Sequence, residues 1–124
     1  MKKISLFFVI LMLWAMLYVS AFAAENVVYV NGTVSASGDG TTPATAFKTI
    51  NEGISAVKTG GTIVLTGDVT YSAASVLTTH SGKIFVTSEY DGVDYGASII
   101  LKARIIMGGE MEFDNINFES SGAT

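Results

Sequence analysis

A short stretch in the first half of the chain repeats apolar residues with the period of an amphipathic helix. They recur in steps of three and four, which places them on one helical face: Phe47, Ile50, Ile54 and Val57. Thr49 and Glu52 have the spacing of a capping box, so the predicted helix begins at Thr49. Gly60 and Gly61 are predicted to end it, because glycine accepts the left-handed conformation common just after a helix. Gly53 weakens the helix by about 1 kcal/mol relative to alanine, so we expect the helix to depend on docking against an apolar surface.

Short apolar segments separated by Gly, Ser, Asp and Asn follow this helix and predict a series of strands. The predicted strands are Asn26 to Val30 before the helix and, after it, Thr62 to Leu65, Val69 to Tyr71, Lys83 to Thr87, Ser98 to Leu101, Arg104 to Met107, Met111 to Phe113 and Ile116 to Phe118. Ile84 to Val86 and Ile99 to Leu101 are continuous apolar runs, which are typical of parallel strands covered on both faces. No helical pattern recurs between the strands. The pattern therefore favours a sandwich, a barrel or a solenoid over a sheet built from βαβ units.

The segment 1–24 has the pattern of a signal peptide. Lys2 and Lys3 precede an uncharged, strongly apolar run that extends to Phe22. Ala21 and Ala23 form the small-x-small pattern that a signal peptidase recognises, so we expect cleavage after Ala23 or the alanine that follows it. A retained membrane anchor is the alternative, since the run approaches the ~20 residues that span a bilayer. We favour cleavage, which predicts one domain over 25–124 in a secreted or cell-surface protein, without membrane contact after processing.

The charge of the predicted mature chain excludes some classes of partner. After Ala24, five basic residues stand against 11 acidic residues, a formal net charge of 5 − 11 = −6. Nucleic-acid binding rests on Lys and Arg that neutralise phosphates, and no basic patch is present in the sequence, so we predict no nucleic-acid partner. An anionic membrane surface is disfavoured for the same reason. The chain has no cysteine, so disulfides do not contribute to its stability.

Several short motifs follow one another in the first half of the predicted mature chain. In chain order they are Tyr29-Val30, Asp39-Gly40, Pro43 with Ala46-Phe47, Thr49-Ile50, and Gly61-Thr62-Ile63 with Leu65. In this order they resemble the N-terminal part of secreted right-handed parallel β-helix proteins of the pectate lyase-like superfamily. Further on, the segment GGEMEFDNINFESS, from Gly108 to Ser121, is similar to a later coil of the same fold.

The resemblance implies an all-β fold, a right-handed parallel β-helix or solenoid in which the amphipathic helix caps the open N-terminal end of the core. It implies about two to three coils before Thr124, fewer than the family usually has, so we expect a truncated member. Asn115 and Asn117 are suited to side-chain ladders at coil corners. Unpaired strand edges on the last coil predict edge-mediated self-association.

Three carboxylates in one short segment form the nearest candidate metal site. Glu89, Asp91 and Asp94 offer the oxygen ligands that calcium prefers. Their spacing is not that of an EF-hand loop, and acidic turns with glycine are common, so a solvated turn is the interpretation that we favour. We predict no cofactor, with calcium as the one metal that this segment could bind.

The remaining candidate residues each have a plainer interpretation. His80, beside Ser81, would need a third residue to orient it as a base, and a loop histidine is favoured. Tyr71, Tyr90 and Tyr95 would suit the apolar face of a sugar ring if they are exposed, and packing inside the coils is the favoured alternative. No catalytic residue can be assigned from a motif.

These observations predict an exported β-helix segment of a carbohydrate-interacting or cell-surface protein that serves mainly as a capping module, with polysaccharide as the partner. One alternative is the N-terminal part of a polysaccharide lyase or glycoside hydrolase whose catalytic coils lie beyond Thr124. The family implies that such coils carry the catalytic groups and often calcium. A surface adhesin is the third interpretation.

Overall fold

The computed structural model of the protein describes residues 25–79 and 82–121 and is mostly β. Its strands are β1 (Glu25–Asn31), β2 (Val57–Gly67), β3 (Val69–Tyr71), β4 (Ser75–Thr78), β5 (Ile84–Thr87), β6 (Glu89–Tyr90), β7 (Val93–Asp94), β8 (Ser98–Leu101), β9 (Ile105–Gly108), β10 (Met111–Asp114) and β11 (Asn117–Ser120), and its α-helix is α1 (Ile50–Ala56). A short 3-10 helix, Pro43–Thr45, lies in the loop between β1 and α1. The predicted signal peptide lies outside the described residues.

Parallel pairing dominates among the described strands. One sheet has the order β1-β2-β5-β10, a second has the order β11-β8-β3, and a third pairs β4 with β9. All of these pairs are parallel, whereas β6 and β7 form an antiparallel hairpin. From β2 onward, the chain enters the first, second and third parallel sheets in turn and then returns to the first. The strands follow as β2, β3 and β4, then β5, β8 and β9, then β10 and β11, with the β6–β7 hairpin between β5 and β8. Strands that are far apart along the chain therefore lie side by side, as Val69 of β3 and Ile99 of β8 do.

The core is built from alternate residues of each strand, whose side chains point to the same side of the sheet. Ile63 of β2 pairs with Val28 of β1 on one edge and with Val86 of β5 on the other, and all three are buried. Phe113 of β10 continues this row and is only partly buried. Burial falls in the same direction in the second sheet, where Ile99 is buried and its partner in β11, Phe118, is 44% exposed. The core is thus closed near β1 and open near β10 and β11.

Helix α1 lies at the closed end. As predicted, Thr49 is its N-cap residue: the Thr49 Oγ1 accepts from the Glu52 amide at 3.2 Å, and the Glu52 Oε2 accepts from the Thr49 amide at 3.0 Å. Ile50 and Ile54 are buried in the core cluster. The helix packs against β1, β2 and β4, which fits the prediction that it needs an apolar surface.

The predicted end of the helix is wrong by one turn. Helix α1 ends at Ala56, and Val57 is both its C-cap residue and the first residue of β2. Gly60 has the expected positive φ of 78°, but it lies inside β2, where pairing with β1 is interrupted by a register shift. Gly53 has a packing role, since a Cβ there would lie 3.0 Å from the Val30 Cγ2, and glycine therefore allows α1 to approach β1 closely.

The Glu52 carboxylate connects α1 to the preceding loop. Its Oε2 accepts from the Ser37 Oγ at 2.7 Å, and the Ser37 Oγ accepts from the Lys48 amide at 2.8 Å. Hydrogen bonds from Ser37 and Thr49 lower the pKa of the Glu52 carboxyl. The ionised form is therefore the one that holds the loop and the helix together.

We expect Glu52→Gln to lower the free energy of unfolding by about 1 kcal/mol at pH 7, because an amide accepts these hydrogen bonds less strongly. The folded pKa lies below the ordinary value of 4.5, so the contribution of the carboxylate is complete above that value and is lost as the pH falls through the folded pKa. Urea unfolding from pH 7 down to pH 3 should show the difference between native protein and variant shrinking. Glu110→Gln, at an exposed position, is the control. A difference that does not change with pH would contradict this role.

Candidate functional site

The β6–β7 hairpin carries four of the residues that the sequence marked as candidates: Glu89, Tyr90, Asp91 and Asp94. Asp91 and Gly92 form its two-residue turn with φ values of 51° and 76°. Positive φ at both positions gives the backbone twist that tight hairpins prefer, and Asp-Gly is a favoured pair for it. The hairpin pairs Glu89 with Asp94 and Tyr90 with Val93.

The hairpin lies against the outer face of the β1-β2-β5-β10 sheet. Val64 of β2 is fully buried although it does not belong to the core cluster, whereas its neighbours Ile63 and Leu65 do. Strand β6 contacts β2, so the hairpin supplies the cover that buries Val64 on the outer face. Tyr29, the partner of Val64 in β1, lies on the same face.

Three tyrosines gather where the hairpin meets β1. The rings of Tyr29 and Tyr90 pack edge to face, with centroids 6.3 Å apart and planes at 79°. Tyr90 is 37% exposed and Tyr95 is half-buried. Burial raises the pKa of the Tyr29 hydroxyl, and the nearby groups of Tyr90, Tyr95 and Asp91 raise it further, so it stays protonated at neutral pH. We call Tyr29, Tyr90 and Tyr95 the tyrosine cluster.

A hydrogen-bonded brace connects the hairpin to the turn between β10 and β11. Ser88 is fully buried, and its hydroxyl donates to the Asn115 carbonyl. The Asn115 Nδ2 donates to the Ser88 Oγ at 3.2 Å and to the Asp94 Oδ1 at 3.0 Å. The same Asp94 oxygen accepts from the Gly96 amide at 2.9 Å. Asn115 has a φ of 50°, a left-handed conformation that asparagine tolerates better than most residues.

A cavity of about 380 Å³ adjoins this brace. It is lined by Ser88, Asp94, Gly96, Ala97, Asn115, Ile116 and Asn117. Its side chains offer carboxylate, amide and hydroxyl groups, which are suited to hydrogen-bonding a small polar ligand such as a sugar.

The predicted calcium ligands are placed on this hairpin without forming a recognisable metal site. Glu89 and Asp94 face each other across the two strands, and Asp91 lies in the turn. Within residues 25–79 and 82–121, no group of three or more His, Cys, Asp or Glu side chains is arranged to hold a metal ion. The Asp94 Oδ1 already accepts two hydrogen bonds. Calcium binding stays a prediction.

The other candidates fall into different environments. Tyr71 is 8% exposed and belongs to the core cluster, so it cannot stack on a sugar. Packing in the interior is the alternative that the sequence analysis favoured for it. Tyr90 is exposed enough to do so. His80 and Ser81 lie outside the described residues.

Tyr29 and Ser88 are functional candidates that the sequence analysis missed. Tyr29 stands in a short strand-like run, and only its alternation with buried Val28 and Val30 could have placed it on the outer face. No sequence motif marks Ser88, since its role depends on a hydrogen bond to Asn115, which is distant in the chain. Comparisons with protein-family models, with curated proteins and with solved structures found no match to this chain.

Proposed function

We propose that residues 25–121 are the N-terminal capping part of a parallel β-helix, in an exported protein that contacts carbohydrate. The observation that carries the proposal is the fixed order in which the chain enters its three parallel sheets. Ile63 pairs in parallel with Val86 on the next return of the chain, and Val86 pairs with Phe113 on the return after that. A chain that winds repeatedly around one axis, with loops of variable length, would produce this order.

The capping role is supported by the difference between the two ends of the core. At one end, β1 adds a strand beside β2, and α1 places Ile50 and Ile54 in the core. At the other end, Met107 and Phe118 are 45% and 44% exposed on edge strands, although their partners Leu77 and Ile99 are buried. We propose that these edges pair with further parallel strands, from a longer form of this protein or from a second copy.

The proposal that the protein is exported rests on the predicted signal peptide over residues 1–24. In the part of the chain that the structure describes, no helix is long and apolar enough to cross a membrane. A secreted or cell-surface location is consistent with a carbohydrate partner. The lyase or hydrolase and the adhesin remain alternatives to the capping role, and neither has a specific structural observation in its favour.

The tyrosine cluster is the surface that we propose for carbohydrate contact. Tyr90 presents an exposed ring, and Val93, its cross-strand partner on the same face of the hairpin, is also exposed. Glu89, Asp91 and Asp94 give the hairpin a negative charge, which would repel uronate-containing polysaccharides. A neutral polysaccharide is therefore the better partner.

We expect Tyr90→Ala to weaken binding to a neutral polysaccharide about three- to tenfold, because the stacking surface is lost. Affinity electrophoresis in gels that contain xylan or mixed-linkage β-glucan measures the change. Phe85→Ala is a matched control, because Phe85 is an aromatic residue with the same 37% exposure outside the tyrosine cluster. Equal retardation of the native protein and both variants, or stronger retardation by polygalacturonate than by xylan, would contradict the proposed contact surface.

A further inference from the structure

A second cavity, of about 390 Å³, lies at the closed end of the core, away from the tyrosine cluster. It is lined by Gly32, Lys48, Thr49, Asn51, Val69, Thr70, Tyr71, Ser72, Ala73 and Ser75. Its walls are therefore the start of α1, the loop after β1 and the strand β3 with the turn that follows. The inference drawn from it does not depend on the proposed carbohydrate contact.

Strand β3 presents to this cavity backbone groups that have no partner within residues 25–79 and 82–121. Among the described strands it pairs with β8 alone, and the Tyr71 carbonyl accepts from the Lys102 amide on that side at 3.0 Å. Successive residues of a strand direct their backbone groups to opposite edges, so the N–H and C=O of Thr70 point away from β8. The loop after β1 and helix α1, which together with β1 we call the cap, form the opposite wall of the cavity, so these two groups face it.

The cap covers the corresponding edge of the first sheet with a strand and contacts that of the third sheet through one hydrogen bond. Strand β1 pairs with the edge of β2, and the Asn51 Nδ2 donates to the Val76 carbonyl of β4 at 2.9 Å. Gly32 lies directly over the start of β3, since a Cβ there would be 2.8 Å from the Val69 Cα. Within the described parts of the chain, neither β3 nor β4 has a covering strand at this end, and the Thr70 backbone, unlike the Val76 carbonyl, has no hydrogen bond to the cap either.

The side chains around the cavity indicate the chemistry of a ligand. Among the described residues that line it, Lys48 is the only charged one. Its Nζ donates to the Ser35 carbonyl at 3.4 Å, and an ammonium group has three donors, so a negative group is still favoured beside it. Tyr71 also lines the cavity, but its side chain belongs to the core cluster, and its buried hydroxyl has no hydrogen-bond partner among residues 25–79 and 82–121.

We infer that this cavity binds a short extended peptide with a carboxylate group, which adds as a strand to the free edge of β3. The peptide backbone pairs with the N–H and C=O of Thr70, as in other cases of strand addition. Its carboxylate lies near the Lys48 ammonium group. An edge strand with free backbone groups is the usual template for such pairing.

The test uses the peptide acetyl-Val-Thr-Val-Glu-amide as the probe and follows amide chemical shifts of the protein by NMR. The Thr70 amide is expected to shift as the peptide is added. Thr70→Pro should weaken binding about tenfold, because it removes the N–H and places a ring at the pairing edge, where proline is compatible with an edge strand. Thr70→Val keeps the N–H and should bind like the native protein. Lys48→Gln should weaken binding about two- to fivefold, whereas Lys58→Gln, another exposed lysine, should not.

A peptide with N-methylated backbone amides tests the native protein directly, so the inference stays testable if Thr70→Pro does not fold. Its failure to bind would support strand addition. Equal binding of the methylated and unmethylated peptides, or no shift of the Thr70 amide, would overturn it. Shifts of the same amides by xylan oligosaccharides but not by the peptide would also overturn it and would assign the cavity to carbohydrate.

Discussion

Replacing Ile54 with alanine is expected to lower the free energy of unfolding by about 2 to 5 kcal/mol. The Ile54 side chain is 3% exposed and belongs to the core cluster that α1 covers. Its removal deletes buried apolar surface and leaves a cavity under a helix of only two turns, which has little stability of its own. Urea unfolding followed by circular dichroism measures the change.

Ser55→Ala is the matched control on the same helix. Ser55 is exposed, and its hydroxyl donates to the Asn51 carbonyl one turn earlier at 3.1 Å. Its replacement should change the free energy of unfolding by less than about 0.5 kcal/mol. If Ile54→Ala were equally mild, α1 would not close the core, and the capping role would lose its main support.

The start of α1 could be predicted from the sequence because its causes are local. The capping box of Thr49 and Glu52 and the apolar positions Ile50 and Ile54 lie close together in the chain, and each has the predicted role. The end of the helix depends on distant residues. Pairing of β2 with β1 extends to Val57 and competes with the helix for the residues before Gly60, and no local signal reports that competition.

The faces of the strands show the same division between local and distant causes. Strands β3 and β8 have the predicted bounds, because turn residues flank each short apolar run. The continuous run Ile84 to Val86 predicted a strand covered on both faces, yet Phe85 is 37% exposed on the outer face. The hairpin covers Val64 instead. Which outer residue is covered depends on where the return of the chain places β6 and β7, and this cannot be deduced from composition.

The candidate site could be predicted only in part. Tyr90, Tyr95 and Asp94 were identifiable as an aromatic and acidic segment, but their arrangement required Tyr29 and Ser88, which come from other parts of the chain. Strand β4 was also missed, because Leu77 is its one buried apolar residue and the strand alternates with exposed positions.

Replacing Asn115 with alanine is expected to lower the free energy of unfolding by about 1 to 3 kcal/mol. Two hydrogen bonds are lost, one to the buried Ser88 Oγ and one to the Asp94 Oδ1. Alanine also tolerates the φ of 50° at this position less well. Amide hydrogen exchange at Tyr95, whose N–H donates to the Ser88 carbonyl at 2.8 Å, should become faster as the hairpin is released.

Asn115→Gly separates the two causes, because glycine accepts the left-handed conformation but supplies no amide. If the brace holds the hairpin, the glycine variant should also show fast exchange at Tyr95, and alanine should add about 1 kcal/mol of backbone strain. Asn117→Ala is the control, since the Asn117 Nδ2 donates to the nearby Glu119 side chain rather than to the hairpin. If the Tyr95 amide exchanged as slowly in both Asn115 variants as in the native protein, the packing of Tyr90 on Tyr29 would hold the hairpin without the brace. In that case Tyr90→Ala should be the substitution that releases it, and the loss of polysaccharide binding would then follow from movement of the whole hairpin.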